Sequence, residues 1–182
     1  MKIGVLSDTH GGVKGWEMSW KFLKDTEIIL HCGDLFYYGP RNPVPEDYSP
    51  GNLVEIFNNL KIPILISKGN CDSEVDQLVL NFPLTYPFLL YQIDFIKIIV
   101  SHGHFFNEEE WFNLGKKWKA NILISGHTHK WKLEKKEGII LVNPGSPSLP
   151  KNEPAVGIID TELKTVKIFN SGNSSLLSEI CL

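Results

Sequence analysis

Apolar positions along the chain gather into short runs rich in β-branched residues: Lys2 to Leu6, Glu27 to Leu30, Ile62 to Ile66, Phe95 to Val100, Asn121 to Ile124, Gly138 to Val142 and Ala155 to Ile159. Runs of this length predict β-strands. Between the first two, Gly12 to Asp25 carries Trp16, Trp20 and Leu23 at helical spacing, and Asn52 to Leu60 carries Leu53, Ile56, Phe57 and Leu60 in the same way. Such stripes predict amphipathic helices, with Trp16 and Trp20 given to core packing. Strand and helix alternate in the first half, which implies parallel βαβ units. The second half shows strands with few helices between them and predicts more antiparallel pairing. The expected class is α/β with mixed pairing, in one domain over residues 1–182.

One stretch breaks the pattern. Leu35 to Gly51 holds four prolines and two glycines, which exclude regular structure and predict an ordered surface excursion at about 35–51. Alternating Lys132, Glu134 and Lys136 read as the solvent face of a further strand rather than as a binding patch.

Composition narrows the function classes. With 42% hydrophobic and 21% charged residues in 182, the chain has ordinary globular usage and can bury a sizeable core. A formal charge of -3 supplies no global field for nucleic acid, so no specific nucleic-acid partner is expected. Met1 to Leu6 runs directly into a strand-like stretch without a leader pattern, and the apolar runs are too short for a bilayer, so no membrane association is expected. Cys32, Cys71 and Cys181 are an odd, sparse set that suits a reducing cytoplasm.

The chemistry sits where the apolar runs end. Val5-Leu6 leads to Ser7-Asp8-Thr9-His10, Ile28-Ile29-Leu30 to His31-Cys32-Gly33-Asp34, and Ile64-Leu65-Ile66 to Ser67-Lys68-Gly69-Asn70. Ile98-Ile99-Val100 leads to Ser101-His102-Gly103-His104, and Ile122-Leu123-Ile124 to Ser125-Gly126-His127-Thr128-His129. Because α/β proteins build their sites beyond the carboxyl ends of strands, these five segments are expected to converge on one edge of the sheet. Gly33, Gly69, Gly103 and Gly126 flank them where a tight turn or close backbone approach aims side chains inward.

Asp8, His10, Asp34, Asn70, His102, His127 and His129 then make an oxygen and nitrogen donor set without thiolate, suited to manganese, iron, nickel or zinc. Seven donors exceed the needs of one tetrahedral ion and serve two if a carboxylate bridges them, for which Asp34 is the best placed. A pair of divalent cations would attract an anionic phosphate and clamp the oxygens of an in-line displacement. His31, inside a strand before Gly33-Asp34, reads as a packing histidine, and Cys71 is left without a role.

Asp8-Thr9-His10, Gly33-Asp34, Gly69-Asn70, His102 and Gly126-His127-Thr128-His129 resemble the pattern of the calcineurin-like metallophosphoesterases. Gly39-Pro40-Arg41-Asn42, Gly69 to Gln77 and Asn143-Pro144-Gly145-Ser146 resemble the small bacterial phosphodiesterases of the YfcE type within that family. The resemblance covers nearly the whole chain. It implies a four-layer αββα sandwich and two metal ions, one held by Asp8, His10, Asp34 and His129, the other by Asp34, Asn70, His102 and His127. It also implies manganese as the preferred activator, a metal-bridging hydroxide as the nucleophile, and a small phosphodiester as the substrate.

Many members carry a histidine after the Asn of Gly-Asn, where it assists the leaving group; here Cys71 stands there, and a thiol is a weak donor. The candidate catalytic residues are therefore Asn70, also a ligand, and His104, two residues past His102, for leaving-group assistance or phosphate contact. Arg41 in the Pro-rich excursion reads equally as a substrate wall or as an interface of a homo-oligomer, and Asn143 to Ser146 as a shaped turn under the site. Alternative functions on the same residues are a phosphomonoesterase, a nuclease, or a catalytically silent interaction scaffold.

Overall fold

The structure, a computed structural model, describes residues 1–182. In chain order the elements are β1 (Lys2–Leu6), α1 (Val13–Leu23), β2 (Ile28–His31), α2 (Pro50–Asn58), β3 (Ile64–Ser67), α3 (Glu74–Val79), β4 (Leu84–Thr85) and β5 (Leu89–Ile93). There follow β6 (Ile96–Val100), α4 (Glu108–Trp118), β7 (Ile122–Ile124), β8 (Trp131–Lys136), β9 (Ile139–Pro144), β10 (Ala155–Asp160), β11 (Thr165–Asn170) and β12 (Leu176–Cys181). They form a seven-stranded sheet ordered β12-β11-β10-β1-β2-β3-β4 and a five-stranded sheet ordered β5-β6-β7-β9-β8.

The strand segments are apolar at consecutive positions because both faces of each sheet are covered. Ile3, Val5 and Leu30 of the first sheet meet Ile98, Val100, Ile124 and Val142 of the second in a shared core. On the first sheet's other face, Leu6, Ile29 and Ile66 pack against Trp16 and Leu23 of α1 and Leu53 and Phe57 of α2. On the outer face of the second, Ile99, Leu123 and Leu141 pack against Trp111 and Phe112 of α4. Three buried layers between four sets of elements make the expected αββα sandwich.

The structure corrects two expectations. The five polar strand ends belong to two facing sheets, not one: β1, β2 and β3 in the first, β6 and β7 in the second. Pairing in the second half is mostly antiparallel as expected, in β5–β6, β8–β9, β1–β10 and β10–β11–β12, with β6–β7 and β7–β9 the parallel exceptions. The parallel β6–β7 step runs through α4, a crossover that the apolar pattern did not reveal. It buries only Trp111, Phe112 and Gly115, the last pressed against Leu123, and a glycine leaves no apolar mark in the stripe. Asn107 and Glu110 start it with a reciprocal capping box. Finally, the Pro-rich excursion ends at Ser49, because Pro50 occupies the first turn of α2, where its missing N–H is harmless.

Within that excursion the Tyr37, Tyr38 and Tyr48 rings pack on one another, with centroids 5.0 and 5.3 Å apart. Tyr48 bridges to Gly12, which ties the loop to the start of α1. No helix is long and apolar enough to cross a membrane.

Candidate metal centre

The seven predicted ligands lie in loops directly after β1, β2, β3, β6 and β7. The loops continue the strand pairing past the sheet edges. In the first sheet Asp8 N–H donates to Gly33 O at 3.0 Å and His10 N–H to Asp34 O at 3.0 Å; in the second, Gly126 N–H donates to His102 O at 3.0 Å. Two bonds lace one sheet to the other, from His102 Nδ1 to Cys32 O at 2.7 Å and from His127 N–H to Asp8 Oδ2 at 3.0 Å. To turn inward here the backbone leaves its ordinary range: φ is 55° at Asp8, 45° at His10, 58° at Asp34, 68° at His127 and 59° at His129. Non-glycine residues in that left-handed region are uncommon and cluster at functional sites.

The donor atoms converge in two halves that meet at Asp34. In one, His10 Nε2 and His129 Nε2 are 3.0 Å apart, with Asp8 Oδ1 3.6 and 3.3 Å from them. In the other, His102 Nε2 lies 3.0 Å from Asn70 Oδ1 and 3.2 Å from His127 Nδ1. Asp34 Oδ2 stands 3.7 Å from His10 Nε2 and 3.3 Å from His102 Nε2, between the halves. Donors bound at roughly 2.1 Å and at right angles about a cation lie roughly 3 Å apart, the spacing seen in both halves.

Hydrogen bonding fixes which ring atoms face inward. His10, His102 and His129 each donate Nδ1–H to a backbone carbonyl, of Tyr37 at 2.7 Å, Cys32 at 2.7 Å and Leu149 at 2.8 Å. That leaves Nε2 of each ring facing the centre, where it holds a proton or, once deprotonated, a metal ion. Asp8 Oδ2 is satisfied by Ser7 Oγ–H at 2.6 Å and by His127 N–H, whereas Oδ1 is buried without a hydrogen-bond donor. A buried carboxylate oxygen facing two imidazole nitrogens is the arrangement a cation resolves, so the residues fit the divalent metal that their chemistry calls for. Electrostatics show the same demand for positive charge, met by a proton on His102 where no cation is bound. Burial opposes ionisation of Asp8 and Asp34, but the facing histidines hold both carboxyls below their usual range; burial likewise opposes protonation of His102, yet Asp34 raises it to about 9.

The sequence pattern missed Asp72. Its buried carboxylate accepts Asp34 N–H at 2.8 Å and Gly69 N–H at 2.7 Å on Oδ2, and Leu35 N–H at 2.7 Å on Oδ1. It thereby clamps the loop of Asp34 to that of Asn70. Its only signal was its place two residues after Asn70. Close approach of backbones also matters at Gly69 and Gly126: a Cβ on the first would run into Asp34, and on the second into Ser7 Oγ and Asp8 Oδ2. The Asn143 to Ser146 turn supports the same loops, Asn143 Nδ2 donating to Gly126 O at 2.8 Å and Ser146 Oγ to Asp8 O at 2.6 Å.

Other residues singled out from sequence fall outside the donor cluster. His31 is buried, accepts Gly33 N–H on Nδ1 at 3.0 Å, and is pushed down to about 3 by burial, which makes it a neutral packing residue. Cys71 N–H donates to Asp34 Oδ1 at 2.8 Å, and burial followed by Asp34 pushes its thiol up to about 12, so no thiolate is offered. His104 sits beside the cluster, its ring 5.3 Å from that of His102 and 6.1 Å from that of His127, with Nδ1 buried and unpartnered. Arg41 lines the same cavity as Asp34, Asn70, His127 and His129. None of the five tryptophans does; Trp16 and Trp20 stack in the core, and Trp111 and Trp131 line a separate cavity.

Residues 1–164 match the family model of the calcineurin-like phosphoesterase superfamily domain. The chain belongs to that superfamily. It is 32% identical to phosphodiesterase YfcE of Escherichia coli K12, across 100% of this chain and 98% of that one. The solved structure of the E. coli YfcE phosphoesterase matches with a TM-score of 0.87 at 30% identity, covering 100% of this chain and 99% of that one. A Methanocaldococcus jannaschii phosphodiesterase is 28% identical over 90% of this chain and 95% of its own. Vps29 of Entamoeba histolytica, solved with zinc, matches in fold alone, with a TM-score of 0.70 at 18% identity covering 100% and 99% of the two chains. This chain is thus a phosphoesterase of a family whose members bind divalent metal, and the clustered Asp and His side chains are its candidate site.

Proposed function

We propose that this phosphoesterase hydrolyses small phosphodiesters with two divalent cations, one held by Asp8, His10, Asp34 and His129 and the other by Asp34, Asn70, His102 and His127. The observation that carries the reading is the pair of converging donor sets that share Asp34 Oδ2, with the unpartnered Asp8 Oδ1 aimed at two imidazole nitrogens. When bound, the cations polarise the phosphoryl oxygens and lower the pKa of coordinated water, which makes a nucleophile at neutral pH. Manganese suits the mixed nitrogen and oxygen donors, as do nickel, iron and zinc. The diester preference rests on the likeness to proteins named phosphodiesterases.

The chain's own residues supply orientation. Carbonyl-anchored imidazoles hold their Nε2 atoms on the centre, and Asn70 offers a neutral oxygen that leaves the second half less anionic toward an incoming phosphate. His104 is placed beside His102 and His127 to donate a hydrogen bond to the phosphate or the leaving oxygen. Arg41 acts as substrate wall rather than as subunit interface, because it lines the donor cavity. The three cysteines are free, which suits a cytoplasmic enzyme.

The test strips the protein with chelator and titrates manganese while following hydrolysis of bis(p-nitrophenyl) phosphate, a phosphomonoester, cyclic nucleotides and single-stranded DNA. Activity that saturates near two ions per chain, is highest on small diesters and is lost in Asp34→Asn is expected. Folded protein inert with every metal would leave the scaffold reading, and dominant DNA cleavage would make it a nuclease.

A further inference from the structure

The cavity over the metal centre, about 970 Å³, is lined by Asn70, His127 and His129 from the ligand loops and by Arg41, Lys130 and Lys151 on its walls. Its volume is at the upper end for small-ligand sites and far exceeds a phosphate group. The three cations come from different parts of the chain and are set by different devices. Arg41 follows Pro40 in the Pro-rich loop; Lys130 N–H donates to Thr128 Oγ1 at 3.3 Å; Lys151 N–H donates to His129 O at 3.0 Å. Two of them thus move with the ligand loop itself.

Their charges are unmatched within the protein. All three are exposed and, like most lysines of this chain, have no carboxylate within 4.0 Å; what sets them apart is the cavity they share. The cavity's own carboxylates are Asp34, committed to the donor cluster, and Asp72, committed to three backbone N–H groups. A chain with net charge -3 therefore gathers three free cations around one cleft. Two divalent ions already outweigh the two ligand carboxylates and a singly charged diester, so the wall cations are surplus to a mono-anionic substrate.

We infer that Arg41, Lys130 and Lys151 form a second anion subsite, and that the substrate is a phosphodiester carrying a further phosphate group. This rests on the two-cation phosphodiesterase reading and adds the substrate class. The test compares the p-nitrophenyl ester of thymidine 5′-phosphate with the same ester bearing a 3′-phosphate, following nitrophenol release by the manganese-loaded enzyme. A kcat/KM ratio of about tenfold or more favours the doubly phosphorylated ester, the scale of one charge-assisted hydrogen bond. The ratio falls toward one in the Arg41→Ala/Lys130→Ala/Lys151→Ala variant and in high salt, and stays in Lys117→Ala. Equal kcat/KM values for the wild type, or a ratio that the triple variant keeps, overturn the subsite. Calorimetric binding of thymidine 3′,5′-bisphosphate against thymidine 5′-phosphate asks the same question without turnover. If neither ester is cleaved but the bisphosphate binds more tightly through these three residues, the subsite stands and the hydrolase reading fails; equal binding there overturns the subsite.

Discussion

Asp72 touches no donor atom of the centre, yet its replacement is expected to weaken metal binding. In Asp72→Asn the side chain keeps its shape but presents one oxygen and one NH₂ to three backbone donors. With the oxygen in the Oδ2 position, Asp34 N–H and Gly69 N–H keep an acceptor, now neutral, while Leu35 N–H faces another donor. One buried unsatisfied N–H costs roughly 1–3 kcal/mol, and the charge-assisted character of the other two is lost as well. Relief of the carboxylate's burial, and after it of repulsion from Asp34, offsets part of this, so a stability loss of about 1–2 kcal/mol is expected. Because the clamp orients Asp34 and the Asn70 loop together, manganese affinity should fall on the order of 10- to 100-fold, the usual effect of removing a partner behind the ligands. Chelator-stripped protein titrated with manganese by calorimetry, beside urea unfolding of the same samples, reads both quantities. Asp72→Ala, with three stranded donors, should be worse in each. A variant Asp72→Asn with wild-type metal affinity and stability within about 0.5 kcal/mol would refute the clamp.

Three further outcomes follow from the geometry. His31 is held neutral in the fold, so it stabilises the protein above its unfolded pKa near 6.5 and loses that contribution as pH falls toward about 3. In metal-free urea unfolding, His31→Asn, which keeps an acceptor for Gly33 N–H, should lose roughly 2 kcal/mol less than wild type between pH 7.5 and pH 5; parallel curves would remove His31 as the source. Gly126→Ala places a methyl against Ser7 and Asp8, for a stability loss of about 1–3 kcal/mol and a fall in kcat on the order of 100-fold, and unchanged kinetics would show that the loop yields freely. His104→Ala should slow esters with poor leaving groups about 10- to 100-fold more than nitrophenyl esters, whereas equal rates on both would dismiss it as a leaving-group contact.

The ligand loops were legible because each follows a strand buried on both faces, which leaves an unbroken apolar run and then an abrupt Asp or His. The division into two sheets was not, since Val100 and Leu6 end in the same chemistry and nothing local tells which strand each will pair with. α4 escaped because one of its three buried positions is Gly115, whose contact with Leu123 depends on having no side chain. The carbonyls that orient the imidazoles, at Tyr37, Cys32 and Leu149, have no sequence signature at all, because every residue carries one. Asp72 was visible as a residue but not as a role, for its partners are backbone N–H groups from its own loop and from the loop after β2.

The left-handed backbone at Asp8, His10, Asp34, His127 and His129 has an evolutionary consequence. Each such residue holds back about 1 kcal/mol or more, which over five positions is a sizeable share of a marginal stability of roughly 5–15 kcal/mol. Glycine at any of them would relax the chain while removing a side chain from the candidate donor set. Drift away from metal binding therefore runs downhill in folding free energy, and a lineage freed from catalysis would lose its centre first and its fold last.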